Sequence, residues 1–226
     1  MSFFGVPGLN QRRIIFGLVL AAGLLAGPRA QAPHTHEHSF SGAQHWAEIF
    51  DDPARDAWQK PHEVIEALGL APNTKVVDIG AGTGYFTVRI AHMFPATRVY
   101  AEDIEPEMIR YVSERAQREK LTNVVAVLGK PDDPLLPEAV DLALVVDTYH
   151  HIGDRVAYFR RLKQHLSTAG EVAIIDFTTA SSMGPPVQER IPPAAVKGEM
   201  AQAGYTLATE HTFLPDQYFL VFRATR

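Results

Sequence analysis

The 226-residue chain contains no cysteine. That excludes disulfides, thiolate metal sites and a cysteine nucleophile. It also lacks a basic excess: 21 Lys and Arg stand against 26 Asp and Glu, for a net charge of -5. Without a basic face there is no electrostatic footprint for nucleic acid. Long hydrophobic runs are scarce as well. The apolar stretch from Ile14 to Gly27 falls short of the about 20 residues that a bilayer-spanning helix needs.

What is present suits a globular protein. With 46% hydrophobic and 21% charged residues, the chain can build a sizeable core, and its length allows one medium domain with a short appendage. The appendage is the amino terminus. Arg12-Arg13, the apolar stretch and then Ala30-Gln31-Ala32 follow the charged, apolar and small-residue order of a secretory signal. Residues 1–32 are therefore expected to be a signal peptide or membrane anchor, and the protein to be exported, periplasmic or membrane-anchored, touching a membrane only through this segment. The adjacent arginines resemble a twin-arginine signal, which exports folded proteins. Residues 33–60 read as a linker with a cap. His34, His36, His38 and His45 do not complete a persuasive donor set, so no metal is expected. Trp46, Phe50 and Trp58 anchor short helices lying over the main domain, and with Tyr218 they are candidates for an apolar lid.

From residue 61 to 226 the pattern alternates strand and helix, the mark of an α/β fold with a parallel sheet covered by helices. Lys75–Ile79, Arg98–Asp103, Val124–Leu128, Val140–Val146 and Glu171–Phe177 read as five strands, the third and fourth nearly continuous apolar runs of the buried kind. Phe86, Ile90 and Met93 share a helical face, Pro106 opens a second helix, and Val156 to Leu166 and Pro193–Gly204 form two more. Tyr205–Phe213 and Gln217–Arg223 are too close for a crossover helix and must pair antiparallel.

The chemistry concentrates at Asp78-Ile79-Gly80-Ala81-Gly82-Thr83-Gly84-Tyr85. A strand here enters a glycine turn and then a helix, so the backbone can take unusual dihedrals and approach a ligand closely. A dinucleotide fingerprint, G-x-G-x-x-G/A, would require glycine or alanine at position 85, which is tyrosine. A nicotinamide-dependent oxidoreductase is disfavoured on that ground. Asp103, at the end of the second strand and beside Glu102, sits about where a carboxylate accepts both hydroxyls of a ribose.

Together with Asp103-Ile104-Glu105-Pro106-Glu107-Met108, the segment Val145-Val146-Asp147-Thr148-Tyr149-His150-His151-Ile152 and Leu166-Ser167-Thr168-Ala169-Gly170-Glu171, this loop resembles the class I S-adenosylmethionine-dependent methyltransferases. The resemblance spans roughly residues 61 to 226. It implies a doubly wound Rossmann-like seven-stranded sheet, mostly parallel with an antiparallel C-terminal strand, and S-adenosylmethionine as cofactor. By position, Asp78, Gly80, Ala81, Gly82, Gly84 and Tyr85 would surround the methionine part of the cofactor. Asp103 would bind the ribose, Ile104 and Met108 would lie near the adenine, and Asp147 would face the cofactor. Where many relatives carry an adenine-binding Asp, this chain has Lys130 after Gly129, and Asp132 is the candidate replacement. Thr168-Ala169-Gly170 replaces the usual Pro-Gly-Gly turn.

In-line methyl transfer depends mostly on positioning, and it needs a base only if the acceptor must lose a proton. Asp147, Tyr149, His150 and His151 follow the fourth strand. His150, His151 and Asp147 are the catalytic candidates, with packing against Trp58 or capping of the helix after Gly153 as the structural alternative for the histidines. Arg160, Arg161 and Lys163 read as a solvated face. The expected function is methylation of a small molecule; the alternative is a non-catalytic S-adenosylmethionine-binding or sensing module.

Overall fold

The computed structural model describes residues 42–225. The signal peptide or membrane anchor expected at 1–32, and His34, His36 and His38, lie outside them. No helix among the described residues is long and apolar enough to cross a membrane.

Seven strands form one sheet: β1 (Lys75–Ile79), β2 (Arg98–Asp103), β3 (Val124–Leu128), β4 (Val140–Val146), β5 (Leu166–Phe177), β6 (Tyr205–His211) and β7 (Gln217–Ala224). Their order is β3-β2-β1-β4-β5-β7-β6. The first five are parallel, and β7 runs antiparallel between β5 and β6. Helices α1 (Ala43–Phe50), α2 (Arg55–Gln59), α3 (Pro61–Ala67), α4 (Tyr85–Met93), α5 (Pro106–Arg118), α6 (Arg155–Leu162) and α7 (Pro193–Ala203) complete the domain.

The alternation of side chains along each strand divides the core into two layers. Val77, Val145, Ile174 and Leu220 meet Phe159 and Leu162 of α6 and Val196 and Met200 of α7. On the opposite face Val76, Leu144, Ile175 and Phe219 meet Ile65 of α3 and Phe86 and Ile90 of α4. Helix starts follow backbone chemistry. Pro61, Pro106 and Pro193 open α3, α5 and α7, where a missing N–H costs nothing.

Several details differ from the sequence reading. β3 is only half-buried rather than enclosed, because it is an edge strand with a neighbour on one side. β5 begins at Leu166, opposite Val140, and an irregularity then places Glu171 opposite Leu142. α6 stops at Leu162 and tightens into a 3-10 turn over Lys163–His165, and β6 ends at His211. The Arg160 to Lys163 cluster is not simply solvated. Arg160 donates to Gln202 O at 3.1 Å and Lys163 to Gly204 O at 3.3 Å, while Arg161 pairs with Asp132 at 3.1 Å. These bonds tie α6 to the end of α7 and to the β3–β4 connection.

The order of the sheet reverses between β1 and β4, where ligands of open α/β sheets bind beyond the carboxyl ends of the strands. β7 contributes to the same edge by a different route. Being antiparallel, it brings its first residue, Gln217, level with Phe177 at the end of β5.

Candidate active site

Gly80, Gly82 and Gly84 follow β1 with φ of 68°, 56° and 87°, a region that glycine enters freely and other residues do not. The three glycines serve different ends. A Cβ at Gly80 would stand 2.5 Å from Thr148, and one at Gly84 would stand 2.7 Å from Val112 of α5. Those two positions let protein segments close on one another. Gly82 faces more open space, with the Phe50 ring 3.4 Å from its notional Cβ. Of the three it is the least crowded. Ala81 N–H donates to Glu102 O at 2.8 Å, pinning the loop to β2. Beneath it, buried Asp78 accepts from Thr87 Oγ1 at 2.7 Å, and burial pushes its carboxyl up to about 6.

Strand alternation sends the two acids ending β2 in opposite directions. Glu102 is buried against Gly129, and burial followed by the charge of Asp103 holds its carboxyl well above the ordinary range. Asp103 turns to the glycine loop, accepting Gly82 N–H on Oδ2 and Glu105 N–H on Oδ1, both at 2.9 Å. Burial raises its carboxyl too, opposed by those backbone donors. Each oxygen keeps a second lone pair, which suits a ligand diol. Beside it Ile104 is 50% exposed and Leu128, the register partner of Asp103 on β3, is 48% exposed. Together they give an apolar wall next to the carboxylate. Leu128 was not apparent as a site residue from sequence. Met108 lies fully buried in the packing of α5, and Asp132 is on the surface, its side chain 68% exposed and paired with Arg161. The structure thus brings Ile104, but neither Met108 nor Asp132, to an exposed position near Asp103.

α1 and α2 cross the mouth of the loop. Arg115 of α5 binds Asp51 at 2.9 Å and Thr83 O at 3.0 Å, and Arg89 binds Asp56 at 3.0 Å. The Tyr85 hydroxyl also donates to Asp56. Arg55 lies 4.0 Å above the Tyr85 ring and reaches Asp147 Oδ2 at 3.1 Å. Asp147 takes φ of 53°, immediately before the Thr148 that abuts Gly80. Its other oxygen accepts from the Gln217 amide, the Gln217 carbonyl accepts from Gln59, and Gln59 Oε1 accepts from Arg55 Nη2 at 3.1 Å. Four side chains, from α2, the residue after β4 and β7, thereby close a ring. Burial pushes Asp147 up to about 7, against the Arg55 charge.

Beyond Asp147 the histidines do not cap the next helix. Asp154 does, accepting from Ala157 N at 3.0 Å, and Trp58 packs on Phe177 instead of on a histidine. His150 Nδ1 lies 2.8 Å from Asp176 Oδ2, with the two side chains 5% and 1% exposed. Burial alone would pull His150 down, but the Asp176 carboxylate outweighs it and holds the imidazole above its ordinary value. The His151 ring packs against His150 at a tilt of 42°, with ring centroids 4.1 Å apart. Of the expected lid aromatics, Trp46 stacks on Phe50 and Tyr218 is buried in the core.

A family model described as a methyltransferase domain matches residues 70–211. The chain belongs to this methyltransferase family. The match takes in the glycine loop, Asp103, the ring's Asp147 and the His150–Asp176 pair. The domain is 26% identical over 133 residues to a malonyl-[acyl-carrier protein] O-methyltransferase of Acetivibrio thermocellus, covering 58% of this chain and 46% of that protein. It is 25% identical over 105 residues to an (S)-coclaurine N-methyltransferase of Thalictrum flavum subsp. glaucum, covering 46% and 29%. The methyltransferase domain thus matches less than half the length of these curated relatives. Among solved structures, a SAM-dependent methyltransferase from Aquifex aeolicus superposes with a TM-score of 0.75 at 23% identity, over 80% of this chain and 98% of that one. Its fold is that of the class I S-adenosylmethionine-dependent methyltransferases.

Proposed function

We propose that the protein transfers a methyl group from S-adenosylmethionine to a small-molecule acceptor. The observation that carries this reading is the pairing of a glycine loop least crowded at Gly82 with the Asp103 carboxylate hydrogen-bonded to that same glycine. The residues fit the cofactor: a carboxylate with lone pairs for a ribose diol, an apolar wall at Ile104 and Leu128 for a purine, and a glycine backbone at position 82 that carries no side chain of its own. When bound, S-adenosylmethionine supplies a methyl carbon open to in-line displacement. The chain's part is to hold donor and acceptor in register behind α1 and α2 and to exclude water. His150 is our candidate for taking a proton from an acceptor that must lose one: Asp176 engages Nδ1 and orients the ring, and Nε2 would make the exchange. A paired, oriented base favours catalysis over a sensing role.

The named acceptors of the two curated relatives are a carrier-bound malonyl group and coclaurine, and a small acceptor for this chain is inferred from them. The amino-terminal order of arginines, apolar stretch and Ala-x-Ala supports export or anchoring through residues 1–32, which places the domain beyond the membrane. Sequencing the amino terminus of protein from cell fractions tests it: mature protein starting after about Ala32, or membrane-retained protein, is expected, and soluble cytoplasmic protein starting at Met1 overturns it.

The cofactor reading is tested by calorimetry. Purified protein is expected to bind S-adenosylmethionine and S-adenosylhomocysteine, and Gly82→Val to abolish both. Tight NAD binding without S-adenosylmethionine heat overturns it.

A further inference from the structure

Phe50 ends α1 at the glycine loop. Its Cδ2 and Cε2 stand 3.4 and 3.6 Å from the point where a Cβ on Gly82 would lie. A ligand atom touching that glycine from the same side needs about 3.5–4.0 Å to the backbone, and the phenyl ring already fills that space. The ring is held from two directions. Trp46, one turn earlier on α1, stacks on it with centroids 5.3 Å apart, and Arg55 of α2 binds the Phe50 carbonyl at 3.0 Å.

The segment that carries Phe50 is attached to the domain differently from its neighbour α3. α3 buries Pro61, Val64 and Ile65, whereas α1 buries only Ala43 and Ala47, and α2 only Gln59. Little apolar surface therefore holds the segment down. Charged bonds do so instead. Asp51 pairs with Arg115 of α5, Asp56 with Arg89 of α4, and Arg55 with Asp147 after β4, at 2.9, 3.0 and 3.1 Å. All six side chains keep some exposure, and ion pairs that water reaches are individually weak and screened by salt. A segment with few buried apolar contacts opens more readily than the core it lies on.

We infer that α1 and α2 form an inhibitory lid, in which Phe50 and the cofactor compete for the place over Gly82. The inference rests on the S-adenosylmethionine reading above. The three ion pairs are latches that set how often the lid stands open. A ligand that binds the open form alone has its affinity reduced by the open fraction, so the Asp51 latch tunes cofactor affinity at a distance. Arg115 is suited to this part. The same Nη1 that binds Asp51 donates to Thr83 O of the glycine loop at 3.0 Å, so opening the latch leaves the bond to the loop in place. On a filled crevice the lid recloses with Phe50 displaced from the loop.

The chain's two tryptophans, Trp46 and Trp58, both belong to the lid, so their fluorescence reports on it alone. Stopped-flow mixing of the full chain with S-adenosylhomocysteine is expected to change that fluorescence at a rate that levels off as ligand rises, because opening comes first. Phe50→Ala removes the plug and Asp51→Asn removes one latch. Each is expected to tighten S-adenosylhomocysteine about three- to tenfold by calorimetry, and Asp51→Asn to raise the limiting rate by a similar factor. Weaker binding by Phe50→Ala overturns the inference, because it makes Phe50 a contact of the bound cofactor. Unchanged affinity in both variants overturns it too, as does a wild-type rate that rises with ligand without levelling. Thermal melts identify a variant that fails to fold, and the other then carries the comparison. Wild-type protein that gives no heat with S-adenosylhomocysteine overturns the cofactor reading itself. That outcome is distinct from normal wild-type binding with unaltered variants, which overturns the lid alone.

Discussion

Gly80 and Thr148 meet with no room for a carbon between them: a Cβ at position 80 would stand 2.5 Å from Thr148 Cγ2 and Oγ1. The contact joins the loop after β1 to the segment after β4 and so sets the width of the crevice between them. Gly80→Ala combines this clash with a left-handed backbone and is expected to cost about 2–4 kcal/mol. Urea denaturation measures it. In a double-mutant cycle Thr148→Gly should recover the steric share and leave the backbone share, which separates the two causes. Fully additive losses would show that the loop relaxes away from Thr148.

Asp103 and Asp132 make contrasting predictions. Asp103→Ala removes an acceptor held at the loop and is expected to weaken S-adenosylhomocysteine by about 1–3 kcal/mol. Asp132→Ala, which loses only an exposed pair with Arg161, should change affinity by less than about 0.5 kcal/mol. Calorimetry on the two variants checks both, and a larger effect at Asp132 would move the adenine contact to the β3–β4 connection.

Asp176→Asn should lower the pH at which His150 titrates, read from its imidazole C–H resonances. The sign follows from the raised value in the fold. A histidine of this kind adds stability that is full below about 6.5 and is lost as pH rises through its folded value. The variant should lack that gain on acidification. An unchanged titration would mean that Asp176 does not govern the ring.

Asp147 should make the fold sensitive to pH in the same direction. Its folded value of about 7 lies above the ordinary 3.8, so the protonated form favours folding. That contribution is full below about pH 4 and fades as pH rises through about 7. The groups facing Asp147 are Arg55 from α2, Asp176 from β5 and His150 from its own segment. Asp147→Asn cannot ionise, so relative to wild type it should be more stable at pH 8 than at pH 5. Urea midpoints at the two values measure this, and a difference of the opposite sign would show that the Arg55 charge outweighs burial at Asp147.

Much of the sheet could be read from periodicity because β1, β2 and β4 are short apolar runs bounded by turn residues, and their limits agree with Lys75–Ile79, Arg98–Asp103 and Val140–Val146. The glycine loop was equally legible, since its spacing is local. The half-burial of β3 was not, because an apolar run does not reveal whether it has one neighbour or two. The ring was hidden for a related reason. Arg55 and Gln59 stand in a short polar helix, Gln217 opens a strand, and nothing in their local sequence joins them to Asp147. Asp176 looked like part of an apolar strand, and only the turn after β4 shows that it meets His150.

The reversed direction of β7 makes synthesis order matter to this domain. Gln217 reaches the ring because the final strand runs back between β5 and β6. On a growing chain, amino-terminal parts emerge first, and β1 to β5 can assemble before β7 exists. Until then the β5 edge has no partner on that side, and the Asp147 carboxylate lacks one of its two side-chain donors. Strand β7 thus finishes both the hydrophobic layer and the polar ring, and a nascent chain stopped short of Gln217 would hold an incomplete crevice with an adhesive sheet edge.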